Sequence, residues 1–207
     1  MKELAGLMIS DLAKEVCQGN HSKALPNGSC SLDLAYYGSE ASQKLVETMA
    51  STIAETEQDI DALIVNGDFP KHGDALEGTF AASDIAPAWE TIKDTIDQNM
   101  KTLRKSFPGK LILPTIGNND VIVHNQMPCT QGEHDKYFSE LFDVWFAEQP
   151  AGFDREAARE TFLVGGYYRH QFADSKTTLL ALNSMYWKLD NECELDIAEQ
   201  QMNWLEE

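Results

Sequence analysis

Short apolar runs alternate with stretches of helical periodicity along this chain, and this alternation constrains the fold more than any other feature. The runs at 4–10, 62–65 and 111–113 are typical of buried strands. A helical pattern spans 42–58, and a second opens at Pro87 and stops at Phe107-Pro108-Gly109. Strand, helix, strand, helix, strand predicts an α/β fold with a parallel sheet, in which ligands gather at the carboxyl ends of the strands.

The second half of the chain predicts a helix, two strands and a further helix. Thr130 and Glu133 suit a capping box that opens a helix with a broad aromatic face, which we interpret as core. The segments 165–172 and 177–183 are typical of two neighbouring antiparallel strands. A last helix starts near Asp196, and the chain stops inside it. We expect residues 1–207 to form a single domain.

The charge of the chain narrows the classes of partner. Lysine and arginine number 16 against 34 for aspartate and glutamate, which gives a net charge of −18. No basic block offers a face for nucleic acid, so nucleic-acid binding is not expected. No apolar stretch approaches the ~18 residues that a membrane span requires. The run at 4–9 is also too short for a secretory signal.

Polar side chains follow each of the three predicted strands. Asp11 follows the first run, Asp68 follows the second and Asn118 follows the third. Gly67 and Gly117 directly precede two of them, and glycine allows a tight turn beside a site. Carboxylate and amide oxygens are ligands that divalent cations select. The sequence therefore predicts a metal-assisted hydrolase with its site at one sheet edge.

Cysteine usage favours the secretory route. Two cysteines flank a polar loop that holds two acceptor sequons: Cys17, Cys30, Asn20 and Asn27. This arrangement fits a disulfide-closed, glycosylated segment. The alternative is two free cytosolic thiols with unused sequons. Cys129 and Cys193 have no evident partner in the sequence.

Two longer motifs resemble those of a known family. Gly67-Asp68-Phe69-Pro70-Lys71-His72 resembles the Gly-Asp-x-Pro-x-His motif of the calcineurin-like metallophosphoesterases, in their acid sphingomyelinase and endopolyphosphatase branch. Gly117-Asn118-Asn119-Asp120, followed by His124-Asn125, resembles the endopolyphosphatase form of the family's Gly-Asn-His-Glu motif. Further landmarks of that branch occur in the right order: Tyr36-Tyr37-Gly38, Leu182-Asn183-Ser184-Met185-Tyr186 and Gln201-Met202-x-Trp204-Leu205.

The resemblance implies a role for each candidate residue. Asp68 is expected to bridge two metal ions, Asn118 to bind the second ion and Asp11 to bind the first. The ions, zinc in similar enzymes, are expected to clamp a phosphate and activate a water. His72 is expected to protonate the leaving group, and His124 to contact the phosphate. The implied fold is a sandwich of mixed sheets flanked by helices, and the implied substrate is a phosphodiester or a polyphosphate.

The chain also departs from that family pattern. The family's first motif is Asp-x-His, whereas Ala13 stands two residues after Asp11. The family places further histidine ligands beyond the point where this chain ends. The sequence therefore leaves two hypotheses open: an extracellular, lysosomal or vacuolar hydrolase, or an incomplete, catalytically dead member with a binding role. A truncated sandwich is expected to expose an apolar face and to associate through it.

Overall fold

The computed structural model describes residues 40–57, 59–173, 176–193 and 196–206. The chain divides into two units, 1–56 and 57–207. Within the described residues, the first unit contains α1 (Gln43–Thr56). The Ser42 hydroxyl accepts a hydrogen bond from the Leu45 N–H at 3.1 Å, which caps this helix. The predicted helix over 42–58 is therefore confirmed. The predicted strand at 4–10 lies outside the described residues.

The second unit begins with two strands joined by a long helix. β1 (Ala62–Val65) and β2 (Leu111–Pro114) pair in parallel, with Ala62 opposite Leu111 and Val65 opposite Pro114. All four residues of β2 are buried. α2 (Ala82–Ser106) connects the two strands. The predicted parallel pair and the predicted α/β class are confirmed.

The start of α2 differs from the prediction. The helix begins at Ala82, so Pro87 lies inside it and not in its first turn. The Asp84 carboxylate accepts a hydrogen bond from the Ala81 N–H at 2.9 Å, which satisfies a backbone donor at the true start. Proline has no N–H to donate, so its place in the second turn costs one helical hydrogen bond.

The rest of the second unit alternates helices with a small antiparallel sheet. Its elements are α3 (Gln131–Trp145), α4 (Arg155–Gly165), β3 (Tyr168–Gln171), β4 (Thr178–Ala181), a 3-10 helix (Ser184–Trp187) and α5 (Ile197–Glu206). β3 and β4 pair antiparallel, as predicted, with Tyr168 opposite Ala181. The helix that follows Asp196 is also confirmed. The predicted capping box at α3 is present in part: Thr130 is the N-cap and accepts from the Glu133 N–H, whereas the Glu133 carboxylate accepts from the Thr130 hydroxyl. α4 was not predicted.

An aromatic core joins α3, α4 and β3. Phe138, Phe142 and Trp145 project from α3 onto Phe162 of α4, with ring centroids 5.5–5.8 Å apart. All four side chains have essentially no exposed surface. The interpretation of the aromatic stripe as core is therefore confirmed. Tyr168 of β3 joins the cluster, and its hydroxyl donates to the Pro114 carbonyl at 2.8 Å. This hydrogen bond ties β3 to the end of β2.

A disulfide joins Cys129 to Cys193, with their Cα atoms 4.9 Å apart. No partner for either cysteine was evident in the sequence, because the two positions are 64 residues apart and only the fold brings them together. Disulfides are typical of oxidising compartments. The proposed second pair and the sequons lie outside the described residues: Cys17, Cys30, Asn20 and Asn27.

Several large apolar side chains are exposed in the second unit, among them Ile64 of β1 and Leu180 of β4. The expected association through an apolar face stays a prediction.

None of the described helices is both long enough and apolar enough to cross a membrane.

Replacing the N-cap of α3 tests the local account of this helix. The Thr130 hydroxyl accepts from the Glu133 N–H at 3.3 Å and donates to the Glu133 carboxylate at 2.8 Å. We expect Thr130→Ala to lower the free energy of unfolding by about 1 kcal/mol, because both hydrogen bonds are lost. Urea denaturation measures the change. Thr130→Ser should retain most of the stability, and an unchanged alanine variant would show that the cap is dispensable.

Candidate functional site

The loops that follow β1 and β2 meet at two glycines. Gly67 has a φ of +72°, and a Cβ there would collide with the Gly117 N–H and lie 2.6 Å from an Asp120 oxygen. A Cβ at Gly117 would collide with the Asp68 backbone and carboxylate. Only glycine at both positions lets the loops approach this closely. The contact brings Asp68 beside the backbone of Gly117.

The Asp120 carboxylate fixes this contact. Its Oδ2 accepts hydrogen bonds from the Gly117 N–H at 2.7 Å and the Asp68 N–H at 2.8 Å. Its Oδ1 accepts from the Phe69 N–H at 2.9 Å. One buried side chain therefore satisfies three backbone donors, two of them on the opposite loop. Asp120 is the residue that clamps the two site loops together.

Burial governs the electrostatics of that clamp. Asp120 has no exposed surface, and burial raises the pKa of its carboxyl to about 7, although the three N–H donors act in the opposite direction. The Tyr137 hydroxyl donates to the Asp120 carbonyl at 3.1 Å, which anchors the loop to α3. Burial also raises the pKa of Tyr137 well above its usual value, so this donor stays protonated.

Asp68 occupies an unusual backbone conformation at the site. Its φ is +57°, in the left-handed region that non-glycine residues seldom adopt. Its Oδ1 accepts hydrogen bonds from the Asn119 backbone N–H at 2.9 Å and from Asn119 Nδ2 at 3.2 Å. No group in the described part of the chain donates to Oδ2. One carboxylate oxygen is thus held in place, while the other remains available to a ligand.

A chain of hydrogen bonds determines how Asn118 is oriented. The Lys188 ammonium can only donate, and its contact at 2.6 Å identifies Asn125 Oδ1 as the acceptor. That oxygen lies 3.2 Å from Asn118, so the Asn118 atom facing it is Nδ2. Nδ2 also lies 2.9 Å from His124 Nε2, which must therefore be the unprotonated ring nitrogen. The amide oxygen of Asn118 has no hydrogen-bond partner among the described residues.

Glu77 is the last residue in this series of hydrogen bonds. His124 Nδ1 lies 3.0 Å from the Glu77 carboxylate, so the ring proton sits on Nδ1 and points at Glu77. The Glu77 carboxylate thus orients the His124 ring, and the ring in turn orients the Asn118 amide. Both ring nitrogens of His124 are thus engaged, one by Glu77 and one by Asn118.

The remaining predicted site residues are placed differently. His72 lies in the same loop as Asp68, four residues further on, and its side chain is exposed. Asp11 lies outside the described residues, so its predicted convergence with Asp68 and Asn118 stays a prediction. Within the described ranges, no three histidine, cysteine, aspartate or glutamate side chains group closely enough to hold a metal ion.

An open cleft of about 420 Å³ lies directly beside Asn118. The loops after β1 and β2 form one wall, through Asn66, Ile116 and Gly117. The 3-10 helix and the residue after it form the other wall, which contains Ser184, Met185, Trp187 and Lys188. The cleft is wide enough to admit a small ligand at the Asn118 amide.

The sequence did not reveal the roles of four residues of this site. Asp120 was quoted within a motif, but its clamping role was not predicted. Glu77 and Lys188 carry no local signal, because neither follows a strand or belongs to a recognised motif. Asn125 was also noticed only as part of the motif, although its φ of +66° and its hydrogen bond to Lys188 give it a structural role.

Comparisons with known proteins place the chain near two phosphodiesterases. No protein-family model matches the chain. It is 23% identical over 196 residues to the cyclic GMP-AMP phosphodiesterase SMPDL3A of Bos taurus, covering 91% of this chain and 40% of that protein. It is 25% identical over 177 residues to the sphingomyelinase phosphodiesterase D of Dictyostelium discoideum, covering 83% of this chain and 34% of that protein. The chain therefore spans well under half the length of these curated relatives, and both bear the names of phosphodiester hydrolases.

Proposed function

We propose that this protein is a metal-dependent hydrolase of phosphodiesters or phosphoanhydrides, of the calcineurin-like metallophosphoesterase type. The observation that carries the proposal is that Asp68 and Asn118 lie in the two loops that follow the paired strands β1 and β2 and that Asp120 joins, each with one oxygen left without a described partner. The two phosphodiesterase relatives support the reaction class. The proposal includes the sandwich fold of that family and one metallophosphoesterase domain over residues 1–207.

The donor set fits a divalent cation. Asp68 offers one carboxylate oxygen and Asn118 one amide oxygen, and hard cations select both atom types. The other polar atoms of these side chains are already bonded to Asn119, Asn125 and His124, which fixes the direction of the donors. We propose that Asp68 and Asn118 bind a binuclear zinc centre, with Asp11 as a further ligand.

Bound cations would supply an activated water and would neutralise the charge on the phosphate. The chain's own residues would do the rest. His72, exposed in the loop after Asp68, would donate a proton to the departing oxygen. His124 would act through Asn118 and not on the substrate, because both of its ring nitrogens are engaged. This geometry favours a positioning role for His124 over the phosphate contact that the sequence implied.

Asp68→Asn tests the proposed activity. Asparagine keeps the Oδ1 acceptor for Asn119 and tolerates a positive φ, so the fold should survive. The charge that would hold a cation is lost, and we expect hydrolysis of bis-p-nitrophenyl phosphate with added zinc to fall about 100-fold. Asp94→Asn, at an exposed position of α2, should leave the rate unchanged. Equal rates for the Asp68 variant and the unaltered chain would refute the assignment.

The disulfide indicates the type of cellular compartment in which the protein resides. A Cys129–Cys193 bond is typical of an oxidising compartment. We therefore propose an extracellular, lysosomal or vacuolar location. Detection of the intact bond in protein isolated from its source would support this proposal, and fully reduced thiols would contradict it.

A further inference from the structure

The cleft beside Asn118 has an uneven distribution of charge. Of its eight lining residues, seven are neutral and one, Lys188, is a cation. The chain as a whole carries a net charge of −18. A positive group in a cleft of an acidic protein is therefore a specific local feature and not part of a general basic surface. It would attract an anionic group of a ligand into this cleft.

Among the described residues, the contacts of Lys188 leave its charge largely uncompensated. Its ammonium donates to the neutral Asn125 amide at 2.6 Å. The carboxylate of Asp190 lies at the outer limit of an ion pair, 4.0 Å away, and that side chain is 69% exposed. Exposed pairs of this kind contribute little. Lys188 thus keeps donor capacity for a further acceptor on its cleft side.

The segment that carries Lys188 is held firmly against the site. Asn191 Oδ1 accepts from the Met127 N–H at 3.1 Å. The disulfide between Cys129 and Cys193 joins the same two segments a few residues further on. With the contact to Asn125, three successive links fix this segment to the loop after Asn118. A donor fixed in advance binds an anion without the entropic cost of being ordered.

We propose that Lys188 is a specificity-determining residue that binds a second phosphate group, next to the one positioned at Asn118. The inference rests on the proposed function, because it takes Asn118 to mark the scissile phosphate. It assigns the cleft to substrates with linked phosphates, such as a nucleoside diphosphate or an inorganic phosphate chain. A substrate that places a quaternary ammonium there is disfavoured by like-charge repulsion at Lys188.

Trp187 provides a direct readout of this cleft. Its side chain is 49% exposed and lines the cleft next to Lys188, whereas Trp89 and Trp145 are buried in the core. A ligand that enters the cleft should therefore change the fluorescence of Trp187. Trp187→Phe should abolish the ligand-dependent signal, which assigns it to this residue.

The experiment is a fluorescence titration of the whole chain with methylenediphosphonate, in EDTA. Lys188→Gln keeps a donor for Asn125 but removes the charge, so it separates anion binding from the structural contact. We expect this variant to bind methylenediphosphonate about tenfold more weakly. Lys188→Arg should bind within about threefold of the unaltered chain because it keeps the charge. Lys105→Gln removes the same charge from an exposed position on α2 and should change nothing.

Phosphocholine serves as the opposing probe. Its affinity should not fall in Lys188→Gln, since its cation is repelled by Lys188. Equal affinity of Lys188→Gln and the unaltered chain for methylenediphosphonate would overturn the proposal, as would an equal loss in Lys105→Gln.

A parallel titration with α,β-methylene-ADP distinguishes the two sources of linked phosphate. Tighter binding than methylenediphosphonate indicates a nucleotide, and equal binding indicates a phosphate chain. The titration involves no metal and no turnover, so its failure is separate from failure of the proposed hydrolysis.

Discussion

Removing the Cys129–Cys193 disulfide is expected to lower the free energy of unfolding by about 4 kcal/mol. The bond closes a loop with a sequence separation of 64 residues. In the chain-entropy account, a cross-link of this length restricts the unfolded state by ~4 kcal/mol. The measurement is urea denaturation of the double variant Cys129→Ser, Cys193→Ser beside the unaltered chain.

The effect should be specific to this bond. Dithiothreitol should not lower the stability of the double variant by a comparable amount, because the bond that matters is already absent. The segment carrying Lys188 should also loosen, so fluorescence titrations of the double variant should show weaker binding of methylenediphosphonate. A loss of stability below about 1 kcal/mol would contradict the account.

Asp120→Asn is expected to cost about 3 kcal/mol of stability. The carboxylate accepts three backbone N–H groups through its two oxygens, and asparagine has only one oxygen. The new NH₂ group must face at least one backbone N–H. Two buried donors then face each other and neither has an acceptor. The two site loops are thereby released from each other.

A matched control separates this effect from a simple loss of charge. Asp94→Asn makes the same chemical change at an exposed position of α2 and should alter stability by less than about 0.5 kcal/mol. Urea denaturation at one pH compares the two variants. If Asp120→Asn were as stable as Asp94→Asn, the role of Asp120 as the clamp between the loops would have to be abandoned.

The part of the fold that depends on local patterns was predictable. The apolar runs predicted β1 and β2, and the glycine before each candidate residue predicted that Asp68 and Asn118 lie in the turns that follow these strands. Both signals are local, since strand periodicity and a tight turn are set within a few residues. The N-cap at Thr130 was predictable for the same reason.

The contacts that complete the site were not predictable, because they join distant parts of the chain. Lys188 and Asn125 are 63 residues apart, and Cys129 and Cys193 are 64 apart. No periodicity relates such pairs. Disulfide connectivity in particular does not follow from sequence alone. The start of α2 was mispredicted because proline is a stronger visible signal than the Asp84 cap that lies before it.

Calorimetric titration with zinc will show whether Asp68 and Asn118 together form a cation site. We expect that the unaltered chain binds zinc, that Asp68→Asn and Asn118→Ala each weaken binding by at least about tenfold, and that Asp94→Asn binds as the unaltered chain does. Zinc affinity unchanged in both site variants would contradict this expectation.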